Sequence, residues 1–169
     1  MAHYCYQCGA ELELRLLDHR ERETCPNCGW VHYLQLKVGA AVIIEQDGKL
    51  LLLQRAHEPW KGSWMVIAGY VEADEDPKDA AKREVREEAS LDVELSDLYK
   101  TYYYDDDPRG NGVVFVYNAM KVSGELHLNN EATDARYFAP DEIPEYLTRA
   151  GQDKIIYEWR RQAKLRASA

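Results

Sequence analysis

The chain has 169 residues, room for one full domain and a small accessory module, and its 46% hydrophobic and 30% charged residues allow a core without disulfides. Its formal net charge of −9 disfavours non-specific nucleic-acid binding, which depends on Lys and Arg against phosphates, but leaves open a phosphate-bearing small substrate reached through divalent cations. No apolar run approaches the roughly 20 residues of a bilayer span. The start Met1-Ala2-His3-Tyr4-Cys5 lacks the basic and apolar regions of a signal peptide, so a cytoplasmic protein with no membrane partner is expected.

The first element is a pair of cysteine knuckles, Cys5-Tyr-Gln-Cys8-Gly9 and Cys25-Pro-Asn-Cys28-Gly29, separated by 16 residues. Four soft thiolates on two C-x-x-C turns match tetrahedral structural Zn2+, with a glycine after each pair to relax the backbone. Disulfides or a duplicated redox pair are the weaker alternatives. Four thiolates close the coordination shell, so no chemistry is expected there, and His3 and His32 read as surface or packing residues rather than ligands. A zinc ribbon over residues 1–34 follows, with Leu12, Leu14 and Leu16 alternating as on a short strand.

Residues 35–169 carry the second module. Lys37 to Glu45 reads as a buried strand, Gln46-Asp47-Gly48 as a hairpin turn and Lys49 to Gln54 as the partner strand. Trp60 to Trp64 is a loop, and Trp64 to Tyr70 a short strand. Asp76 as N-cap and Pro77 at the first helical position start a helix running to about Ala89. Strands over Ser96–Tyr104 and Val113–Val122, another near Asp134–Phe138, the stretch Asp141–Ala150 and a helix over Asp153–Arg166 complete the order. On the last helix Ile155, Ile156, Trp159 and Ala163 form a core-facing stripe. The succession predicts a mixed α/β sandwich.

Chemistry concentrates on the first helix. Glu84, Glu87 and Glu88 are three and four residues apart and converge on one face, where they repel unless arginines or a cation offset them. Clustered carboxylate oxygens suit Mg2+ or Mn2+; the bland alternative is a solvated charged face. Ala80, Ala81, Val85 and Ala89 form a small-residue stripe that should dock the helix closely and hold the carboxylates at an edge.

The segment resembles the box of the Nudix hydrolase family: glycine, five residues, glutamate, seven residues, then Arg-Glu-aliphatic-x-Glu-Glu-x-Gly-aliphatic. Gly69, Glu75, Arg83, Glu84, Val85, Glu87, Glu88 and Leu91 stand in register, and Ser90 replaces the last glycine. That glycine usually ends the helix in a left-handed conformation, so serine should cost about 1 kcal/mol without touching chemistry. The resemblance implies a Nudix α/β/α sandwich with a mixed sheet after a small zinc ribbon. It also implies metal binding by Glu84, Glu87, Glu88 and the Gly69 carbonyl, an Arg83–Glu75 pair that orients the carboxylates, and water attack on a pyrophosphate phosphorus. The general base is read as Glu131, with Glu84 competing and a solvated loop carboxylate as the plain alternative for Glu131.

Two ribbon-bearing groups of the family are similar to this chain. The group acting on NADH or NAD-capped RNA carries Ser-Gln-Pro-Trp-Pro-Phe-Pro-x-Ser after the box. This chain has Lys100-Thr-Tyr102-Tyr103-Tyr104-Asp105 there, so the resemblance favours ADP-ribose or a flavin dinucleotide. Arg55 is a candidate phosphate contact, and Trp60, Trp64, Tyr102 and Tyr104 are candidate stacking partners for a base, against the plain reading of the tyrosines as ordinary strand residues. The competing functional class is a non-catalytic Nudix-fold nucleotide sensor or a zinc-ribbon nucleic-acid module, disfavoured by the retained glutamates and the charge. Dimers are frequent in this family, which leaves a homodimer open.

Overall fold

The computed structural model describes residues 3–168 and divides into two units, Met1–Gln35 and Leu36–Ala169. In the first, β1 (Glu13–Leu17), β2 (Arg20–Thr24) and β3 (Val31–His32) form a three-stranded antiparallel sheet in that order. The two cysteine knuckles repeat one geometry. Gly9 donates its N–H to the Cys5 carbonyl at 2.9 Å and Gly29 donates to the Cys25 carbonyl at 3.1 Å, both glycines at positive φ. The alternating leucines do mark β1, but Leu14 and Leu16 are exposed, so the alternation signals extended backbone there rather than a buried face.

The second unit holds β4 (Lys37–Ile43), β5 (Glu45–Gln46), β6 (Lys49–Arg55), β7 (Trp64–Met65), β8 (Ile67–Tyr70), α1 (Pro77–Ala89), β9 (Leu91–Tyr104), β10 (Gly112–Gly124), β11 (Ala132–Phe138) and α2 (Gln152–Ala167). One sheet runs β8-β4-β10-β9 and is mixed, because β10 lies parallel to β4 while the other pairs are antiparallel. The other runs β11-β6-β5, with β7 also paired to β6.

The central strands β4 and β6 are covered on both faces, which is why they read as continuous apolar runs. Successive side chains point to opposite faces. Ala40, Val42, Ile44, Leu51 and Leu53 pack with the Ala80, Ala81, Val85 and Ala89 stripe of α1. Ala41, Ile43, Leu50 and Leu52 pack with Ile155, Ile156, Trp159 and Ala163 of α2. The result is an α/β/α sandwich.

Two boundaries differ from expectation. The segment Trp64–Tyr70 is two strands in two sheets, β7 on β6 and β8 on β4; between them the Val66 N–H is taken by the Gln152 side-chain carbonyl at 3.2 Å. Strand β9 begins at Leu91 rather than Ser96, since left-handed Ser90 turns the chain straight from helix into strand and Leu91 already pairs with Gly124. Helix α1 does run Pro77–Ala89 with Asp76 as its cap, accepting the Lys78 N–H at 2.8 Å. Among the described residues no helix is long and apolar enough to cross a membrane.

Candidate active site and cysteine centre

A cleft of about 310 Å³ opens where the end of β8, the outer face of α1 and the loops around Asp107, Glu131 and Ala150 meet. Its lining includes Gly69, Glu84, Glu87 and Glu88, together with Arg55, Glu72, Tyr104, Glu131 and Gln152. The close docking of α1 positions the carboxylates: with alanines on its inner face, the helix backbone lies near the sheet and its glutamates reach the edge.

Arg83 organises the cluster. Its Nε and Nη2 donate to the two Glu75 oxygens at 3.1 and 2.6 Å, and Nη1 donates to Glu84 at 2.7 Å and to Glu87 at 3.0 Å. Nη2 also donates to the Tyr70 carbonyl at 2.9 Å, tying the helix to the end of β8. Glu75 accepts the Glu72 N–H as well, and the Arg83 contacts with this N–H hold its carboxyl below the usual range.

The other carboxylates are pushed the opposite way. Burial raises Glu84, partly offset by Arg83, with Glu87 and Glu131 adding repulsion. Glu88 is 3% exposed and lies well above the ordinary value, through burial first and then the charges of Glu84 and Glu131. Its Oε2 is buried with no hydrogen-bond partner. An orphaned carboxylate oxygen among other carboxylates is costly unless something positive meets it. Gly69 supplies the space: a Cβ there would collide with the Glu84 carboxylate, so only glycine lets that group lie against β8. The glycine is required by this close approach, not by its backbone angles. The donor set is all oxygen, charged and partly open, and fits a hard divalent cation such as Mg2+ or Mn2+.

The remaining candidates separate. Glu131 is exposed, lines the cleft and sits near enough to Glu84 and Glu88 to shift both. Arg55 lines the cleft but is tied down, its Nε donating to the Pro59 carbonyl at 2.8 Å. Tyr104 reaches the cleft wall, and burial pushes its phenol up to about 12. Trp60, Trp64 and Tyr102 stand outside the lining. Trp64 packs edge-on against Phe138 at 4.8 Å, and Tyr102 packs on the α2-side core. Trp60 lies in its loop beside Arg109.

Sequence reasoning passed over Tyr70, Asp107 and Arg109. Asp107 is buried and accepts from the Arg109 backbone N–H at 2.8 Å and from its guanidinium at 2.9 and 2.8 Å. Burial would raise the Asp107 carboxyl, but the three Arg109 contacts outweigh it and the net shift is downward. The fork holds the Arg109 guanidinium at the cleft, 5.7 Å from the Tyr70 ring centre and 5.9 Å from that of Trp60. The Asp-x-Arg spacing in a polar loop was the available signal, and it is weak in any sequence.

In the first unit the sulfurs of Cys5, Cys8, Cys25 and Cys28 lie within 4.8 Å of one another, all as free thiols. Cys5 and Cys28 stand 3.5 Å apart, as do Cys8 and Cys25. Four thiolates bonded to one zinc at about 2.3 Å stand about 3.8 Å apart, so the cluster fits that ion. The Ala10 N–H and the Asn27 amide lower the Cys8 thiol to about 6, whereas Cys28, lowered by the Trp30 N–H but raised more by burial and the neighbouring sulfurs, is pushed up to about 12, so without an ion the four sulfurs do not ionise together.

An α/β/α sandwich with its acidic helix at the mouth of a cleft is the architecture of the Nudix hydrolases. The comparisons agree: the NUDIX domain family model matches residues 33–159, and the Nudix N-terminal model matches residues 3–34. The chain belongs to the Nudix hydrolase family, with the N-terminal ribbon found in part of it. It is 33% identical over 130 residues to an ADP-ribose pyrophosphatase of Methanocaldococcus jannaschii, covering 76% of each chain. It is 30% identical over 142 residues to the NAD-capped RNA hydrolase NudC of Pseudomonas aeruginosa, covering 83% of this chain and 49% of that one. The chain thus spans about half the length of that relative. The crystal structure of a Nudix hydrolase from Nitrosomonas europaea superposes with a TM-score of 0.81 at 31% identity, covering 94% of this chain and 90% of that one.

Proposed function

We propose that this chain hydrolyses the pyrophosphate bond of a nucleoside diphosphate linked to another moiety, with ADP-ribose or a related dinucleotide such as FAD or NADH as substrate and Mg2+ or Mn2+ as cofactor. The observation that carries the reading is the buried, partnerless Glu88 Oε2 beside Glu84 and Glu87 in the cleft. The relative named as an ADP-ribose pyrophosphatase supports the substrate class. The ribbon holds a structural Zn2+.

Glu84, Glu87, Glu88 and the Gly69 carbonyl would hold the cation. When bound, it supplies charge neutralisation at the diphosphate and lowers the pKa of the attacking water. Arg83 fixes Glu84 and Glu87 by direct hydrogen bonds and is itself fixed by Glu75, so the carboxylates need little reorganisation during reaction. Glu131, at the open side of the cleft, accepts the proton of the attacking water. Arg109, held by Asp107, places positive charge on the cleft wall, and Arg55 lies near enough to Glu88 to offset part of the rise in its carboxyl.

The test is hydrolysis, with Mg2+ and with Mn2+, of ADP-ribose, NADH, FAD, nucleoside triphosphates and NAD-capped RNA, with Glu87→Gln in parallel. Cation-dependent turnover that collapses in the variant supports the reading, and the preferred substrate fixes the subfamily. A folded protein inert on the whole panel would replace it with the nucleotide-sensor reading.

A further inference from the structure

The ribbon carries a second cluster of metal-ligating groups that the cysteine centre does not use. Glu23 and His32 face each other in the β2–β3 register, and the His32 Nδ1 stands 2.7 Å from Glu23 Oε2. The His3 Nδ1 contacts the other oxygen, Oε1. His3 is anchored through its carbonyl, which accepts the Leu12 N–H at 2.8 Å. One ligand atom from each of the three residues lies within 4.8 Å of the others. The Trp30 ring stacks on His32, with centres 5.7 Å apart and planes 11° from parallel, which fixes the imidazole edge toward Glu23.

We infer that His3, Glu23 and His32 form a second, open transition-metal site on the ribbon, of the two-imidazole, one-carboxylate type that Zn2+ accepts. The chemistry favours an ion over a mere pair of hydrogen bonds in two respects. Both imidazoles present the same nitrogen to one carboxylate, so a single ion can replace both N–H protons. Each ring proton then moves to Nε2, and the imidazoles stay neutral as ligands. Ligands at about 2.0–2.2 Å from one ion stand about 3.3 Å apart, so groups that already lie within 4.8 Å of one another need to move by at most about 1.5 Å, and their side chains are partly exposed. Imidazole donors select Zn2+, Cu2+ or Ni2+ over Mg2+, so this site and the carboxylate cleft differ in the ions they take. Three protein ligands leave a fourth position open, unlike the closed cysteine centre. His3 and His32 also line a groove with Tyr4, Tyr6, Trp30 and Tyr33, where water or an anionic ligand would have room to complete the shell.

The experiment is the zinc content of the full chain, equilibrated with buffered free Zn2+ in excess Mg2+ so that the cleft carboxylates are occupied. Wild-type protein, Glu23→Gln and His3→Ala are compared, with Co2+–thiolate absorption as a separate report on the cysteine centre. A second zinc equivalent in wild type, lost in both variants with the thiolate band intact, is the expected result. Glu23→Gln alters a strand and can disturb the ribbon; should its thiolate band fall, His3→Ala decides. A single equivalent in wild type overturns the site, as does a second equivalent that survives in the variants.

Discussion

Arg83 and Glu75, eight positions apart and on opposite sides of the start of α1, close a two-pronged ion pair at 2.6 and 3.1 Å. The same guanidinium also reaches Glu84, Glu87 and the Tyr70 carbonyl, so one side chain sets the geometry of the acidic cluster. Lysine, a point charge without a fork, cannot reproduce this. Arg83→Lys should lower kcat/KM by at least tenfold, and Arg83→Ala should also cost about 1–3 kcal/mol of stability, since Glu75 and Glu84 lose their counter-charge. In a double-mutant cycle with Glu75→Gln, losses that simply add would show that the two residues do not act as a unit.

Glu88 provides a pH dependence with a defined sign. Burial raises its carboxyl, and Glu84 and Glu131 raise it further. Its folded-state value exceeds its unfolded value, so the stability linked to it is complete below about pH 4 and is lost as pH rises through the folded value. A divalent cation binds only the ionised group and opposes that loss. Mg2+ should therefore raise Tm more at about pH 8 than at about pH 5, as read by calorimetry. Glu88→Gln should stabilise the metal-free protein at the higher pH by about 1–3 kcal/mol and abolish the Mg2+ effect; an equal Mg2+ shift in the variant would count against Glu88 as a ligand.

The proposed base Glu131 and its competitor Glu84 can be told apart by substitution. Glu131→Gln should reduce kcat about 10²–10⁴-fold and leave the Mg2+ affinity within a few-fold. Glu84→Gln should weaken the cation affinity itself. Were Glu131→Gln to retain wild-type kcat, the base would be assigned elsewhere.

Ser90 ends α1 at φ 56, ψ 27, with its N–H returning to the Arg86 and Val85 carbonyls. A side chain in this left-handed conformation costs energy that glycine does not pay. Ser90→Gly should add about 0.5–1 kcal/mol in urea unfolding and leave kcat unchanged. Destabilisation would mean that the serine makes a compensating contact.

The four thiols of the ribbon provide a chelation test. With zinc bound, Cys5, Cys8, Cys25 and Cys28 should resist a thiol reagent under native conditions. After treatment with a strong chelator all four should react and the ribbon should lose its ordered circular dichroism, because metal binding and folding are one process in so small a unit. Immediate reaction of all four before chelation would sink the zinc assignment.

Local chemistry made a good part of this molecule legible from its sequence. The cysteine spacing, the Asp76-Pro77 start of α1 and the register of Glu84, Glu87 and Glu88 all lie within a few turns of chain, where spacing alone dictates which side chains meet. Long-range packing decided the rest. No pattern near Trp64 says that it points into the Phe138 core, or that its strand leaves one sheet for another at Val66. Nor does the loop sequence reveal that Asp107 pins Arg109 at the cleft. His3, Glu23 and His32 meet only because β2 pairs with β3 and His3, bonded to Leu12, lies alongside. Periodicity fixes which face of an element a residue occupies, but what lies opposite that face depends on pairings between segments tens of residues apart, and only the folded chain contains them.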